Sequence, residues 1–223
     1  MAARFRDRTD AGQQLAGALQ QFLHSANAVV LGLPRGGIPV AYQIAHQLGL
    51  PLDAVVVRKV GAPGQPELAM GAVASGGARV VNDDVLAHFA DAEAVFAAMA
   101  EREHLEVVRR EALFRAGRGP LDVKDRVCII VDDGLATGAT MEAAVRALRM
   151  LGAARLIVAV AVASRDAVHR LERSADEVVC LLQPPWFRSV GQWYDDFEQT
   201  SDEEVVRLLA GHARESGPPG APC

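Results

Sequence analysis

Val127-Cys128-Ile129-Ile130-Val131-Asp132-Asp133-Gly134-Leu135-Ala136-Thr137-Gly138-Ala139-Thr140 is the stretch on which the fold turns. Its first five residues are apolar without alternation, the pattern of a strand covered on both faces. The strand delivers two adjacent carboxylates to its carboxyl end. A short turn with Gly134 and Gly138 then runs into 141–151, where Met141, Ala144, Val145, Leu148 and Leu151 share one helical stripe. Backbone N–H groups at such a helix N-terminus, with the Thr137 and Thr140 hydroxyls, form a cradle for phosphate. Asp132 and Asp133 would repel that phosphate if they faced it. They are useful a few ångströms away, as acceptors for a diol or as ligands for Mg²⁺. Phosphate at one end and a diol at the other outline a ribose 5-phosphate.

Outward from this stretch, apolar strands alternate with helices. Strands are expected at 27–33, 53–60, 79–81, 127–131, 156–163 and 177–182, and helices at 9–24, 36–48, 91–115, 141–151 and 166–173. Leu15, Leu19, Phe22 and Leu23 form the stripe of the first helix, with Thr9 or Asp10 as its N-cap. Val95, Met99, Leu105, Val108 and Ala112 are read as the buried side of 91–115, and its charged run 101–111 as a solvated face with Glu106–Arg110 as an i,i+4 pair. Ser201-Asp202-Glu203-Glu204 is a capping box opening a last helix through 209. Residues 61–77 show no period and read as a long loop. The fold class is therefore α/β, a mostly parallel sheet with helices on both faces. In such sheets ligands collect at the carboxyl ends of the strands. A core is expected over 1–182, a small C-terminal hood and helix over 183–215, and a frayed tail over 216–223.

Composition sets the outer limits. The 223 residues are 50% hydrophobic and 23% charged, ample for one sizeable core. A net charge of −5 argues against nucleic acid as the partner. Cys128, Cys180 and Cys223 lie far apart and form no metal knuckle, so reduced thiols in the cytoplasm are expected. The longest purely apolar run, 156–163, is too short for a membrane span, and Asp10, Gln13 and Gln14 interrupt any signal-peptide pattern behind Arg4, Arg6 and Arg8. Among other carboxylate sites at strand ends, a receiver-type phosphoacceptor needs a lysine on a later strand, and lysine occurs only at Lys59 and Lys124. A haloacid-dehalogenase site wants Asp-x-Asp, and a dinucleotide fold wants Gly-x-Gly-x-x-Gly.

Residues 127–140 resemble the phosphoribosyl pyrophosphate (PRPP) motif of type I phosphoribosyltransferases, and their wording is especially similar to the adenine-specific members. The resemblance implies that Asp132 and Asp133 hold the ribose hydroxyls, directly or through Mg²⁺, and that Ala136, Thr137, Gly138, Ala139 and Thr140 hold the 5-phosphate. Ala136 stands where the hypoxanthine–guanine branch carries an acid. Leu33-Pro34-Arg35-Gly36-Gly37 resembles the family's pyrophosphate loop, where a non-proline cis peptide is frequent, so Arg35, Gly36 and Gly37 are assigned to pyrophosphate. Arg58 and Lys59 occupy the position of its pyrophosphate-binding cations, and 61–77 that of a mobile lid, in which Glu67 would be an acid or base. Both tryptophans of this aromatic-poor chain fall in 184–195. That segment loosely resembles the family's hood, which makes Trp186 and Phe187 candidate stacking faces for a base, with Arg165 the nearest cation. The resemblance implies a homodimeric transferase with PRPP, a small heterocyclic acceptor and Mg²⁺. A non-catalytic PRPP- or nucleotide-sensing regulator on the same fold is the alternative; PRPP synthesis lacks an ATP-binding segment.

Overall fold

A computed structural model describes residues 4–89, 91–115 and 117–215, with the backbone alone at 66, 67 and 215. The expected tail lies outside the described residues. The chain opens with α1 (Arg8–Ala18) and continues through β1 (Ala28–Gly32), α2 (Gly37–Leu48) and β2 (Leu52–Ala54). Then come β3 (Val57–Ala62), β4 (Gln65–Ala74), β5 (Arg79–Val81), the short α3 (Asp83–Leu86) and the long α4 (Ala92–Phe114). The second half runs β6 (Val127–Leu135), α5 (Ala139–Met150), β7 (Arg155–Ala163), α6 (Arg165–Leu171), β8 (Glu177–Leu182) and α7 (Asp202–Glu215).

Five strands form a parallel sheet in the order β2-β1-β6-β7-β8. One face buries Val30, Ile129, Val131 and Ile157 with Leu15 of α1 and Ile44 of α2. The other buries Leu31, Ile130 and Val158 with Met141 and Leu148 of α5 and Leu171 of α6. Both faces are covered, which is why the strands carry no alternation. Among the described residues no helix is long and apolar enough to cross a membrane. Burial raises the Cys128 thiol to about 12 and the Cys180 thiol to about 11, so neither is primed to react.

Two expectations need correction here. The apolar run 53–60 is not one strand. Its first half stays in the parallel sheet as β2, and its second half leaves as β3. The break at Val56 is satisfied by Ser75, whose Oγ accepts the Val56 N–H at 2.9 Å and whose N–H donates to the Val56 carbonyl at 2.8 Å. The expected loop 61–77 is mostly strand: β4 pairs antiparallel with β3, and β5 with β4, making a second, three-stranded sheet. β4 hides from a periodicity reading because small Ala and Gly residues provide no contrast between its faces. A Cβ on Gly71 would stand 2.1 Å from the Val80 carbonyl and 2.7 Å from the Phe96 ring. The small residues are what lets neighbours approach.

α1 ends six residues before the expected limit of 24 and is capped by Asp7, which accepts the Asp10 N–H at 2.7 Å; Leu23 is exposed. α4 bears out the expected buried side in its first half only. Its buried residues are Phe96, Ala100, Val107 and Phe114, with the expected Val95 and Met99 half-buried beside them, while Leu105 is 65% and Val108 46% exposed and Ala112 is exposed. Packing against β3 and β4 draws Phe96 inward at one end, and Phe114 lies buried at the other. The Glu106–Arg110 pair forms at 2.7 Å, and with Arg109 it holds the Glu106 carboxyl down at about 2. Phe96→Ala is accordingly expected to cost about 3–5 kcal/mol in chemical denaturation. Leu105→Ser should stay within about 0.5 kcal/mol. The reverse order would restore the face read from sequence.

Candidate active site

β6, the middle strand of the parallel sheet, carries its two acids toward its carboxyl end and runs on to Leu135, four residues past the expected limit of 131, and the turn beyond it holds Ala136, Thr137 and Gly138. Asp132 Oδ1 accepts the N–H of Asp133 at 2.9 Å, so the pair braces itself. Burial raises the Asp132 carboxyl well above the ordinary range, and the neighbouring Asp133 raises it further. Burial raises Asp133 too, against the opposing pull of Arg8. Such a pair resists holding two negative charges at once.

Beyond the acids, Ala136 and Thr137 turn outward and Gly138 takes a left-handed conformation (φ 74°) as the N-cap of α5. Only glycine adopts that geometry without strain. A Cβ there would also meet the Ala167 Cβ at 3.3 Å. The turn is braced by Ser164, whose Oγ donates to the Ala136 carbonyl at 2.7 Å, and by Thr137, whose Oγ1 accepts the Ala139 N–H at 3.4 Å. Ala136, Thr137, Ala139 and Thr140 are exposed around this helix start, as an anion cradle requires.

The loop after β1 comes to the same place. Pro34–Arg35 is a cis peptide. Gly36 lies so near the acids that a Cβ would stand 2.1 Å from Asp133 Oδ2, and one on Gly37 would stand 2.5 Å from the Val131 carbonyl and 3.0 Å from the Asp132 Cα. The paired glycines are thus a packing requirement of the acid pair itself. The Arg35 side chain leans instead toward α7, 3.5 Å from Asp202, with both groups over a third exposed. Arg58 and Lys59 are neighbours on β3 and therefore face opposite ways. Arg58 donates to Glu103 of α4 at 2.9 Å. Lys59 lines a cleft of about 330 Å³ between the small sheet and the start of α5, together with Ala139, Thr140, Arg146 and Arg170.

A cover that the sequence reading did not anticipate lies over the acids. Arg8 Nε donates to Asp133 Oδ2 at 2.8 Å, both side chains being only 13% exposed. The guanidinium also donates to the Glu198 carbonyl at 2.6 Å and stacks on the Phe197 ring at 4.0 Å. Tyr194 donates its hydroxyl to the Asp133 carbonyl at 2.6 Å. Phe5 bridges to Tyr194, tying the N-terminal segment to the hood.

The sequence matches the family described as phosphoribosyl transferase domain over residues 7–198. The chain belongs to that family. A Mycobacterium tuberculosis protein named "Putative phosphoribosyl transferase" is 48% identical over 217 residues, covering 97% of this chain and 49% of its own length, with the same figures in strains CDC 1551 and H37Rv. The chain thus spans about half the length of these curated relatives. The crystal structure of TT1426 from Thermus thermophilus is 46% identical, covering 93% of this chain and 98% of that one, with a TM-score of 0.84.

On this phosphoribosyl transferase domain the remaining candidates divide. Trp186 is 85% exposed, Phe187 packs partly against the core, and Arg165 is exposed at the start of α6. Glu67 stands in β4, and its side chain lies outside the described residues. The hood closes through Val190–Trp193, a 3-10 turn; a Cβ on Gly134 would meet the Val190 side chain at 2.6 Å. Tyr194 serves as cover, and Trp193 packs half-buried against the core. Arg8 drew notice in the sequence only as part of a basic N-terminus. Its partner lies 125 residues away, and no local pattern announces such a pair.

Proposed function

We propose that this chain transfers the 5-phosphoribosyl group of PRPP to a nitrogen of a nucleobase-like acceptor. The C1–oxygen bond to pyrophosphate breaks, the C1–nitrogen bond forms, and the acceptor gives up a proton. One observation carries this reading: the phosphate-cradle turn, the acid pair and the double-glycine loop converge at the ends of two adjacent strands, with Gly36 and Gly37 packed directly on Asp132 and Asp133. The loop 136–140 would hold the 5-phosphate and the acids the ribose diol, while the amides of 35 and 36 and Lys59 would receive pyrophosphate; the Gly37 N–H already donates to the Leu33 carbonyl at 3.0 Å, so Gly37 would serve by its close approach to the acids. Fixed donors aimed at a departing charge are worth roughly 10²–10³ in rate each. Trp186, Phe187 and Arg165 would line the acceptor side. Glu67 is kept as the candidate acid or base of the lid, now a strand hairpin.

Mg²⁺ fits in a restricted way. The donors are two carboxylates, one already ion-paired, and the described residues include no group of three or more His, Cys, Asp or Glu placed to hold a metal. That set suits an ion brought in on the substrate's pyrophosphate oxygens, where it would neutralise leaving-group charge; Asp132 and Asp133 would hold it directly or through water. A cytoplasmic homodimer completes the proposal.

A PRPP-sensing regulator is the second reading, favoured by one observation: Arg58 is committed to Glu103 and not to the pyrophosphate side. Incubation with PRPP, Mg²⁺ and a panel of bases separates the two. Pyrophosphate release dependent on one base is the expected result. Tight PRPP binding without release for any base would make the protein a sensor, and no PRPP binding would remove both readings.

A further inference from the structure

The geometry points to Arg8 as a positioning residue for the acid pair, the group that fixes Asp133 for the ribose and couples it to the hood. The inference rests on the phosphoribosyl-transfer reading above and extends it to a residue outside the PRPP motif. Three contacts hold the guanidinium: Asp133 Oδ2 at 2.8 Å, the Glu198 carbonyl at 2.6 Å and the Phe197 ring at 4.0 Å. The side chain is 13% exposed, so these contacts form largely out of water, where charge-assisted bonds are strongest. Arg8 occupies one lone-pair direction of Oδ2 and fixes the plane of the carboxylate, so it sets the directions in which the remaining lone pairs of Asp133 can meet the diol. It also supplies positive charge beside two acids that must tolerate a polyanionic substrate.

The groups around Asp133 are few. Asp132 adjoins it on β6, Arg8 reaches it from α1, Tyr194 binds its carbonyl from the hood, and Gly36 packs on it from the loop after β1. Arg8 is the cation among these neighbours. Removing Arg8 frees the Asp133 carboxylate to rotate and unties residues 197 and 198 from the acids, so the loss should fall on a ligand that carries a ribose diol.

The test is calorimetric titration of PRPP with Mg²⁺, and of inorganic pyrophosphate with Mg²⁺ as a ligand without a diol, into the full chain and into Arg8→Met and Arg8→Lys, with thermal melts alongside. The expected result is a roughly tenfold to hundredfold loss of PRPP affinity for Arg8→Met with pyrophosphate affinity unchanged. Arg8→Lys retains the charge without the forked geometry, so its loss for PRPP should be smaller. Unchanged PRPP affinity in Arg8→Met would overturn the assignment. So would equal losses for PRPP and pyrophosphate, since a general loosening of the site predicts that pattern. If Arg8→Met fails to fold, Arg8→Lys decides: a loss for PRPP alone supports positioning, while unchanged PRPP affinity or an equal loss for both ligands overturns it. A parent that binds no PRPP would sink the parent reading first, and this inference with it.

Discussion

Asp132→Asn is expected to fold, to melt at a higher temperature than the parent at pH 7, and to lose PRPP binding roughly 10²–10³-fold. The opposing directions follow from the placement of the carboxyl. Burial, and then Asp133, raise its folded-state titration well above the ordinary value. A raised acid binds its proton more tightly folded than unfolded, so its contribution to stability is complete below about pH 4 and fades as pH rises through the folded titration. Above about pH 4 the buried acid therefore weakens the fold relative to the amide, which has no proton equilibrium to shift. The amide oxygen can still accept the Asp133 N–H that Oδ1 accepts now at 2.9 Å. The gain in melting temperature should therefore shrink as pH falls toward 4, which melts at stepped pH would record. Asp133→Ala should behave in the opposite sense. It strands the Arg8 guanidinium in a largely buried place, a loss of about 3–5 kcal/mol for a broken buried pair. Stabilisation of both variants would mean the two acids are equivalent, contrary to the geometry.

Gly37→Ala should be nearly as damaging to function by a different route. Its new methyl would stand 2.5 Å from the Val131 carbonyl and 3.0 Å from the Asp132 Cα, and both are backbone atoms of a central strand. A long side chain could swing aside; this strand, paired on both edges with β1 and β7, cannot. The loop 34–37 must move off the acids instead. The expected cost is about 1–3 kcal/mol in stability. On the proposed function, PRPP affinity should fall by roughly 10²-fold or more as the loop proposed to receive pyrophosphate loses its place. Gly17→Ala is the matched control: it lies in α1 with nothing within 4 Å of the added methyl. It should stabilise the chain by about 0.5–1 kcal/mol and leave PRPP binding alone. Equal behaviour of the two variants in paired melts and titrations would refute the close-approach argument.

The acid pair and the glycine turn into α5 were legible as geometry because they are local. Asp132 through Thr140 lie within nine residues, and the order strand, carboxylates, glycine turn and helix follows from backbone chemistry alone. The hairpin β3-β4 was not legible, since alternation cannot show itself in a run of Ala and Gly. The second half of the α4 stripe was misread for a related reason: apolar residues flank both sides of the helix there, and only its partners decide that Val107 and Phe114 are buried while Leu105 and Val108 are exposed. Arg58 and Lys59 look like one cationic pair in sequence, yet consecutive strand residues diverge, and α4 supplies Glu103 for one of them.

From the amino-acid order alone came the doubly covered parallel sheet, the strand that carries two acids near its carboxyl end, the glycine turn into α5 and the paired glycines. Each depends on contacts between neighbours in the chain or on a periodicity that burial imposes. Tertiary structure alone decided that Arg8 closes on Asp133, that Tyr194 and Phe197 roof the acids, and that Gly36 and Gly37 are small because those acids lie against them. These contacts join segments about 60 to 190 residues apart, and the sequence carries no local energy term that could record them.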